Sequence, residues 1–405
     1  MKIPEILSPA GNLEKLQFAF AYGADAVYVA GKEFSLRSYA GNLSDEELQK
    51  AVELTKANKK KIYVAVNIFP YNKDINEIEK YIKFLASLKI NGIIVSDLGV
   101  FSIVKEIAPS IPIHISVQAN NLNYKEIKMW KKLGASRVIL ARELSYEDIV
   151  EIRKQVPDIE LEIFVHGAIC MSYSGRCLLS NYLTGRDSNK GECAQSCRWK
   201  YFLVEEKRKG EYMPVFEDNR GSYILNSKDL CTIQNLHKFI EAGIDSFKIE
   251  GRMKSIHYVA LTTSIYKKVR DEYLKNPFTY TFNNKYMEEL EKISHRPYTK
   301  GFYFTDENMK QNYDFSDYIS TYTYIGYVME ENQNDLIKIS VKRTFKNNDD
   351  MEFFLPDGSY FKTKIKEIKN KDKIDELYTK QNHEYFIKIE NNKKLPEFTI
   401  LRKKI

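Results

Sequence analysis

Short runs of apolar and β-branched residues alternate with amphipathic stretches through roughly the first 260 residues of the chain. The stretches, such as 44–57 and 75–88, place apolar residues at the spacing of a helix. Ser44 is followed three positions later by Glu47, a capping-box arrangement that marks a helix start. Several helices are expected to stop at a glycine ahead of the next strand, at Gly23, Gly92, Gly134 and Gly243. The predicted strands are 5–7, 26–30, 61–67, 92–96, 113–118, 137–142, 162–166 and 246–250.

This alternation predicts an α/β fold in which the strands close into a (β/α)8 TIM-like barrel. An open doubly wound sheet is the structural alternative. The G-x-G-x-x-G sequence expected after the first strand of a dinucleotide-binding sheet is absent, which favours the barrel. The active site of such a barrel lies at the carboxyl ends of its strands.

One connection is far longer than a barrel loop. About 80 residues separate the seventh predicted strand from the eighth, and loops of this length in compact domains are usually functional. Within it, residues 201–205 and 212–216 predict a hairpin that turns at 208–210. We therefore expect a long insertion before the last strand of the barrel.

The pattern changes after about residue 276. Residues 284–294 predict a last helix, and from Tyr322 onward short strand-like runs are separated by turns. The predicted organisation is a barrel over 1–275 with a cysteine-bearing loop at about 167–235, a helical linker over 276–317, and a small all-β domain, barrel or sandwich, over 318–405.

Composition and charge narrow the class of protein. The chain of 405 residues is 43% hydrophobic and 29% charged, which is typical of a globular protein. No signal peptide and no membrane-length apolar stretch is found, so a cytoplasmic protein without membrane attachment is expected. The net charge of +7 lies mostly outside the nearly neutral C-terminal region, and it is compatible with a polyanion such as RNA. A solvated lysine-rich surface would give the same excess.

Five cysteines fall between positions 170 and 231: Cys170, Cys177, Cys193, Cys197 and Cys231. An odd number without a secretory signal argues against a disulfide framework. Four thiolates on one loop could hold an iron–sulfur cluster, zinc could bind Cys193 and Cys197 with other ligands, and inert thiols remain a third possibility. Arg176 and Arg198 adjoin cysteines, which would lower their thiol pKa and offset cluster charge.

Polar residues stand at or just past the ends of the predicted strands: Asn67, Asp97, Gln118, Glu143, His166 and Glu250. His166 precedes Cys170 by four residues, so it is either a proton donor or substrate ligand, or a buried histidine bonded to backbone. Glu143 follows Arg142, and Glu250 lies two residues before Arg252. Either pair could be a structural ion pair instead of a catalytic group.

The segment from Glu162 through Cys170, followed by Gly175-Arg176-Cys177, resembles the signature of the peptidase U32 (collagenase-like) family. The similarity spans about residues 1–275, and the terminal β region resembles the family's C-terminal domain. Val117 departs from the family, which often has Thr there. Further matching segments are 8–12, 23–28, 116–118, 142–145, 191–199, 226–231 and 248–252.

The resemblance implies an oxygen-independent hydroxylation enzyme that acts on tRNA, forming 5-hydroxyuridine at the wobble position with prephenate as hydroxyl source. It implies a 4Fe–4S cluster held by Cys170, Cys177, Cys193 and Cys231, leaving Cys197 as a spare. Tyrosines, Trp199 and cations interleave around the cysteines, and single-stranded RNA bases are usually recognised by stacking on such aromatics, although the same side chains could pack the loop.

Particular residues are assigned roles on this basis. The expected catalytic residues are His166, Glu143 and Glu250, and Asn67 and Gln118 are expected to bind substrate. A dicarboxylate such as prephenate would require bidentate cationic partners, for which Arg176 and Arg252 are the candidates. A second family member is a further expected partner, as a subunit.

Two other functions stay open at this point. A peptidase would pair Cys170 with His166, although five clustered thiols fit ligation better than one nucleophile, and the H-E-x-x-H of metallopeptidases is absent. A non-catalytic scaffold that delivers tRNA or a cluster to a partner is the other alternative.

Overall fold

The computed structural model contains two closed barrels, one parallel and one antiparallel. It describes residues 2–35, 41–169, 179–186, 194, 203–204, 212–213, 216–218, 221–223, 228–304, 318–331, 335–391 and 393–405. Cys170, Cys177, Cys193, Cys197 and Arg176 therefore lie outside the described residues, as do most of the tyrosines and cations between them.

The first barrel begins with seven parallel strands in sequence order. They are β1 (Glu5–Pro9), β2 (Ala26–Val29), β3 (Lys61–Val66), β4 (Gly92–Val95), β5 (Ile113–Ile115), β6 (Arg137–Ile139) and β7 (Glu160–Ala168). After the insertion, β8 (Leu203–Val204), β9 (Tyr212–Met213), β10 (Phe216–Asp218), β11 (Gly221–Tyr223) and β12 (Asp229–Cys231) precede β13 (Ser246–Ile249). Strand β13 pairs with both β1 and β7 and closes the barrel, which confirms the predicted TIM-like fold.

Helices cover the outside of the barrel. They are α1 (Leu13–Ala21), α2 (Asp45–Ala57), α3 (Ile75–Leu88), α4 (Leu98–Ile107), α5 (Tyr124–Leu133), α6 (Tyr146–Gln155), α7 (Leu179–Thr184), α8 (Leu236–Glu241), α9 (Ile256–Lys275) and α10 (Lys285–Leu290). Ser44 caps α2 through the predicted capping box with Glu47. One glycine prediction is wrong: α3 ends at Leu88, its C-cap Lys89 adopts the left-handed conformation, and Gly92 is the first residue of β4.

The insertion extends the barrel sheet. The predicted hairpin is confirmed by the antiparallel pairing of β8 with β9. Strand β12 pairs antiparallel with β7, so Cys231 lies directly opposite His166. A short strand, β14 (Tyr298–Thr299), pairs with β12. The region between the two barrels thus carries the helix α10 and one strand of the first sheet.

The C-terminal region forms a closed antiparallel barrel, which decides between the two predicted all-β architectures. Its strands are β15 (Tyr322–Val328), β16 (Ile337–Val341), β17 (Asp350–Phe354), β18 (Tyr360–Lys369), β19 (Glu384–Ile389) and β20 (Ile400–Lys404). The β20 strand was not predicted. Its Arg402 is fully buried, and its guanidinium contacts Glu352 at 2.5 Å and Glu289 of α10 at 2.6 Å.

Paired charges occupy the interior of the first barrel towards the amino ends of its strands. The buried Arg137 guanidinium contacts Glu5 at 2.8 Å, Glu160 at 2.7 Å and Glu162 at 3.0 Å. The Lys248 ammonium lies 2.9 Å from Glu162. Because these charges satisfy one another, this end of the barrel is a structural layer, and the candidate site lies at the opposite end.

Candidate functional site at the carboxyl end of the barrel

Side chains from three neighbouring strands meet at the mouth of the barrel, by which we mean the carboxyl ends of its parallel strands. Asn67 follows β3, Ser96 follows β4, and Gln118 lies in the short 3-10 helix Val117–Ala119 after β5. The Asn67 amide Nδ2 donates to Gln118 Oε1 at 2.7 Å. The hydroxyls of Ser96 and Ser116 lie 3.3 Å and 3.4 Å from the same oxygen. The structure therefore brings together Asn67 and Gln118, which were both predicted to bind substrate.

An arginine and a carboxylate face each other across the mouth. Arg142 lies 11% exposed after β6, with its guanidinium 3.8 Å from the centre of the Phe164 ring. One of its nitrogens donates to the Ala168 carbonyl at 2.7 Å, and another lies 3.8 Å from Glu250. Glu250, which follows β13, therefore pairs with Arg142, which follows β6 on the other side of β7.

The remaining predicted mouth residues have different surroundings. Glu143 is half-buried, and its Oε2 has no hydrogen-bond partner among the described residues. Arg252 is 5% exposed and contacts Asn42 Oδ1 at 3.5 Å, while its carbonyl accepts from Lys15. Asp97 caps α4 by accepting from the Val100 backbone N–H, so its carboxylate has a structural role.

His166 faces the outside of the barrel. Ser246 and Lys248 of β13 point inward, since they contact Glu5 and Glu162, and Ile249 consequently points outward. A β-bulge between Lys248 and Ile249 shifts the pairing of β13 with β7, so that His166 lies beside Ile249. The expectation that His166 lines the mouth together with the other strand-end residues is therefore wrong, because one extra residue in β7 reverses its face.

Tyrosines surround the His166 ring, from α9 and from β14. Its centroid lies 5.7 Å from the ring of Tyr258, 5.5 Å from Tyr266 and 5.4 Å from Tyr298. Burial, reinforced by the nearby His295 and Lys254, lowers the pKa of His166 to about 3. The imidazole is therefore neutral at physiological pH.

The tautomer of His166 follows from its contacts. The Tyr266 hydroxyl donates to the Val165 carbonyl at 2.7 Å, so its oxygen can accept a hydrogen bond from the N–H at His166 Nδ1, 3.3 Å away. His166 is therefore hydrogen-bonded to a side chain, whereas one of the two predictions from the sequence was a buried histidine bonded to backbone. Its Nε2 lone pair has no partner among the described residues.

Cys231 is the one expected cluster ligand in the described part of the chain. Its thiol is buried, 3.8 Å from the Tyr266 hydroxyl and 3.9 Å from the Met287 sulfur. Burial raises the pKa of Cys231 to about 11, so a bound metal would be needed to hold it as a thiolate. A buried thiol in soft, apolar surroundings fits a metal–sulfur site. The described residues alone contain no cluster of three or more possible metal ligands.

Two glycines of the family-like segments make room for Tyr258. Gly167 has a φ of +106°, and a Cβ there would lie 2.6 Å from the Glu250 carbonyl oxygen and 2.9 Å from the Tyr258 hydroxyl. A Cβ on Gly251 would lie 2.6 Å from the Tyr258 ring. The Tyr258 hydroxyl donates to the Glu250 carbonyl at 2.8 Å. These contacts position the backbone of Glu250 at the mouth.

Sequence reasoning missed several residues around the site. Ser96 and Ser116 each directly follow a strand of the barrel, and this position at the carboxyl end of a strand could have identified them from the sequence. Tyr258 and Tyr266 are eight residues apart, a spacing that places them on one face of α9. Their role next to His166 could not be inferred, because it depends on the bulge in β7.

Known proteins resemble the chain along nearly its whole length. The sequence model of peptidase family U32 matches residues 11–313, and that of the family's C-terminal domain matches residues 320–402. The tRNA hydroxylation protein P1 of Bacillus subtilis is 39% identical over 405 residues, which cover 99% of this chain and 95% of the relative. The tRNA hydroxylation protein P of Escherichia coli is 40% identical over 398 residues, covering 88% and 87%.

A third relative has a different RNA in its name. The 23S rRNA 5-hydroxycytidine synthase of Escherichia coli is 33% identical over 267 residues, which cover 66% of this chain and 39% of the relative.

No helix within the described residues is both long and apolar enough to cross a membrane.

Proposed function

Because the chain belongs to peptidase family U32, we propose that it is an RNA-modifying enzyme that hydroxylates tRNA, with 5-hydroxyuridine at the wobble position as its product. The observation that carries this proposal is the similarity to tRNA hydroxylation proteins across both barrels. The mouth of the barrel offers amides, two carboxylates, the buried Arg252 and the partly buried Arg142, which suit a polar planar base and an anionic co-substrate.

The proposed cofactor is a 4Fe–4S cluster held by Cys170, Cys177, Cys193 and Cys231, with Cys197 as a spare. Bound there, the cluster would supply one-electron transfer, which allows hydroxylation without oxygen. The burial of Cys231 beside Met287 supports this ligand set. His166 lies next to Cys231, so we assign it to the cluster side of the site rather than to the barrel interior.

Prephenate is the proposed hydroxyl source, with Arg176 and Arg252 as its partners. A dicarboxylate requires cations held in place, and the burial of Arg252 against Asn42 supplies such a cation near the mouth. Glu143 and Glu250 are the proposed proton-transfer groups, and the unpartnered Oε2 of Glu143 makes it the more available of the two. The proposed partners are tRNA and a second family member as subunit, and the expected location is the cytoplasm.

The peptidase alternative has less support. A cysteine nucleophile needs a histidine that becomes protonated, and burial among tyrosines lowers the pKa of His166 to about 3. The Nδ1 of this ring is also occupied by Tyr266. We therefore retain hydroxylation as the proposed activity.

The activity is tested in a host strain that lacks this gene and every other member of the family. Nucleoside mass spectrometry of bulk tRNA is expected to show no 5-hydroxyuridine or its derivatives in this strain, and their return when the gene is supplied. The proposal is wrong if these nucleosides are equally abundant with and without the gene.

The cofactor is tested on protein purified without oxygen. About four irons and four sulfides per chain are expected for a 4Fe–4S cluster. Cys231→Ser is expected to lose most of the iron, whereas Cys197→Ser keeps it. A zinc-loaded, colourless wild-type protein would contradict the cluster, and loss of iron from Cys197→Ser would contradict the ligand set.

A further inference from the structure

We propose that Gln118 holds its side-chain N–H groups at the mouth as a fixed donor for O4 of a uracil base, so that the site selects uridine over cytidine. The inference rests on the proposed function, since it assumes that an RNA base enters the mouth. It adds the residue that distinguishes one pyrimidine from the other, with Asn67, Ser96 and Ser116 as positioning residues.

The amide of Gln118 is held in one orientation. Its Oε1 accepts from Asn67 Nδ2 at 2.7 Å, and the Ser96 and Ser116 hydroxyls lie within 3.4 Å of it. Turning the amide over would place its NH₂ group against the NH₂ group of Asn67 at this short distance. Two donors facing each other without an acceptor lose the hydrogen bond and repel. Turning both amides over together would restore that hydrogen bond, but the Ser116 hydroxyl, which already accepts from the Gln118 N–H, would then lose the acceptor for its own proton. The oxygen therefore stays directed towards Asn67.

The backbone beneath Gln118 is also fixed. The Ser116 side chain caps the short helix Val117–Ala119 by accepting from the Gln118 N–H at 3.4 Å. Asn121 donates to the carbonyls of Ser116 at 3.0 Å and of Ile139 at 2.8 Å, tying this segment to β6. Binding of an RNA base therefore does not have to order Gln118 first, which favours recognition by a preformed donor.

The other end of the amide has no partner. The hydrogen bonds of the Gln118 side chain to the described residues all end at Oε1, so both N–H groups on Nε2 are unpaired among those residues. Gln118 is half-buried at the carboxyl ends of three parallel strands, where barrel enzymes bind their substrates. The Gln118 side chain thus presents a hydrogen-bond donor at this point.

A donor at this position distinguishes the two pyrimidines. Uracil carries a carbonyl oxygen at position 4, which accepts a hydrogen bond, whereas cytosine carries an amino group there. Cytosine would place donor against donor and leave both groups unpaired. Loss of one such base contact changes the relative affinity by roughly tenfold.

The test measures binding of two anticodon stem-loop RNAs that differ only in uridine or cytidine at the wobble position. Wild-type protein, carrying its native metal content, is expected to prefer the uridine RNA by about tenfold. Gln118→Met keeps the length of the side chain without the donor and should bring the preference close to one. Gln118→Glu replaces the donor by an acceptor and should shift the preference further towards cytidine.

Two further variants separate positioning from general damage. Ser96→Ala and Ser116→Ala together should reduce the preference while leaving the melting temperature close to that of Gln118→Met. Gln49→Met, on the exposed face of α2, is the matched control and should keep the wild-type preference. A merely structural role of Gln118 would lower affinity for both RNAs equally.

The outcomes distinguish this inference from the proposed function. The inference is wrong if Gln118→Met keeps the full preference for uridine. It is also wrong if the substitution changes only how the protein responds to added prephenate. The inference is also wrong if wild-type protein hydroxylates tRNA in cells but binds both RNAs equally well. If tRNA hydroxylation does not depend on the gene at all, the proposed function itself fails.

Discussion

Tyr258 lies against two glycines at the point where β7 and β13 end, and this contact sets the backbone beside the mouth. The positive φ of Gly167 and the 2.6 Å approach to the Glu250 carbonyl leave no room for a side chain. Packing against Tyr258 and the Glu250 backbone therefore requires glycine at positions 167 and 251. The sequence alone could not show which neighbours impose this requirement.

Gly167→Ala should destabilise the protein because the new methyl group meets backbone and the positive φ adds strain. The expected loss in the free energy of unfolding is about 3 kcal/mol, measured by urea denaturation. Gly185→Ala is the control, since Gly185 has a φ of +70° but nothing within 4 Å of its Cβ position. It should lose only about 1 kcal/mol from backbone strain. Equal losses in both variants would show that the contact with Glu250 and Tyr258 does not matter.

Buried neutral histidines make the fold sensitive to acid. Burial, reinforced by nearby cations, holds the pKa of His114 and of His257 well below the ordinary value. The unfolded chain takes up a proton at each below about pH 6.5, whereas the folded chain does not. Stability present above that pH is therefore lost as the pH falls, by up to about 1.4 kcal/mol per pH unit for each histidine.

His114→Phe should flatten this dependence, because the buried ring can no longer be protonated in the unfolded state. The measurement is the urea midpoint at pH 7.5 and pH 5.5, for wild type and variant. His383→Gln changes an exposed histidine and serves as the control. An identical fall in midpoint for wild type and His114→Phe would contradict this explanation.

At the scale of elements, Arg137 connects three strands of the first barrel. Its guanidinium is 2% exposed and contacts carboxylates of β1 and β7. Arg137→Met would leave Glu5 and Glu162 without this partner, at an expected cost of about 3–5 kcal/mol in the free energy of unfolding. Lys131→Met removes an exposed pair with Asp158 and should cost at most about 1 kcal/mol. Chemical denaturation of both variants checks the prediction, which fails if their losses are alike.

The elements also show what the sequence could and could not predict. Strands of the first barrel were found because both faces of a parallel sheet are buried and their sequences are mostly apolar and β-branched. The orientation of His166 was missed because a β-bulge leaves no mark in hydrophobicity. The β20 strand was missed because Arg402 resembles a surface charge in sequence, and its burial depends on Glu289 and Glu352, which are distant along the chain.

At the scale of the whole molecule, the two barrels are joined by buried polar contacts. The hydroxyl of Tyr22, the C-cap of α1, lies 2.7 Å from the Phe354 carbonyl and 3.0 Å from the Phe398 carbonyl. Arg402 contacts Glu289 of α10 and lies 3.3 Å from His257 of α9. The C-terminal barrel is therefore anchored to the helices around β13, and its stability should depend on them.

Arg402→Met should weaken the contact between the two barrels, since Glu289 and Glu352 lose their buried guanidinium and keep only Lys292 as a shared cation. A loss of about 3–5 kcal/mol is expected, with the C-terminal barrel becoming sensitive to protease at lower temperature. Lys403→Met, in the next position of the same strand, removes a partly exposed pair with Asp349 and should have little effect. Equal protease resistance of Arg402→Met and wild type would show that this contact does not join the barrels.

We propose that this protein hydroxylates tRNA by means of a cluster held on its cysteines. The most direct measurement is the amount of 5-hydroxyuridine and its derivatives in tRNA from cells grown without oxygen, in the strain that lacks all family members. The wild-type gene and Cys197→Ser should restore these nucleosides, whereas Cys231→Ser, present at the same protein level, should not. Full restoration by Cys231→Ser, or none by the wild-type gene, would contradict it.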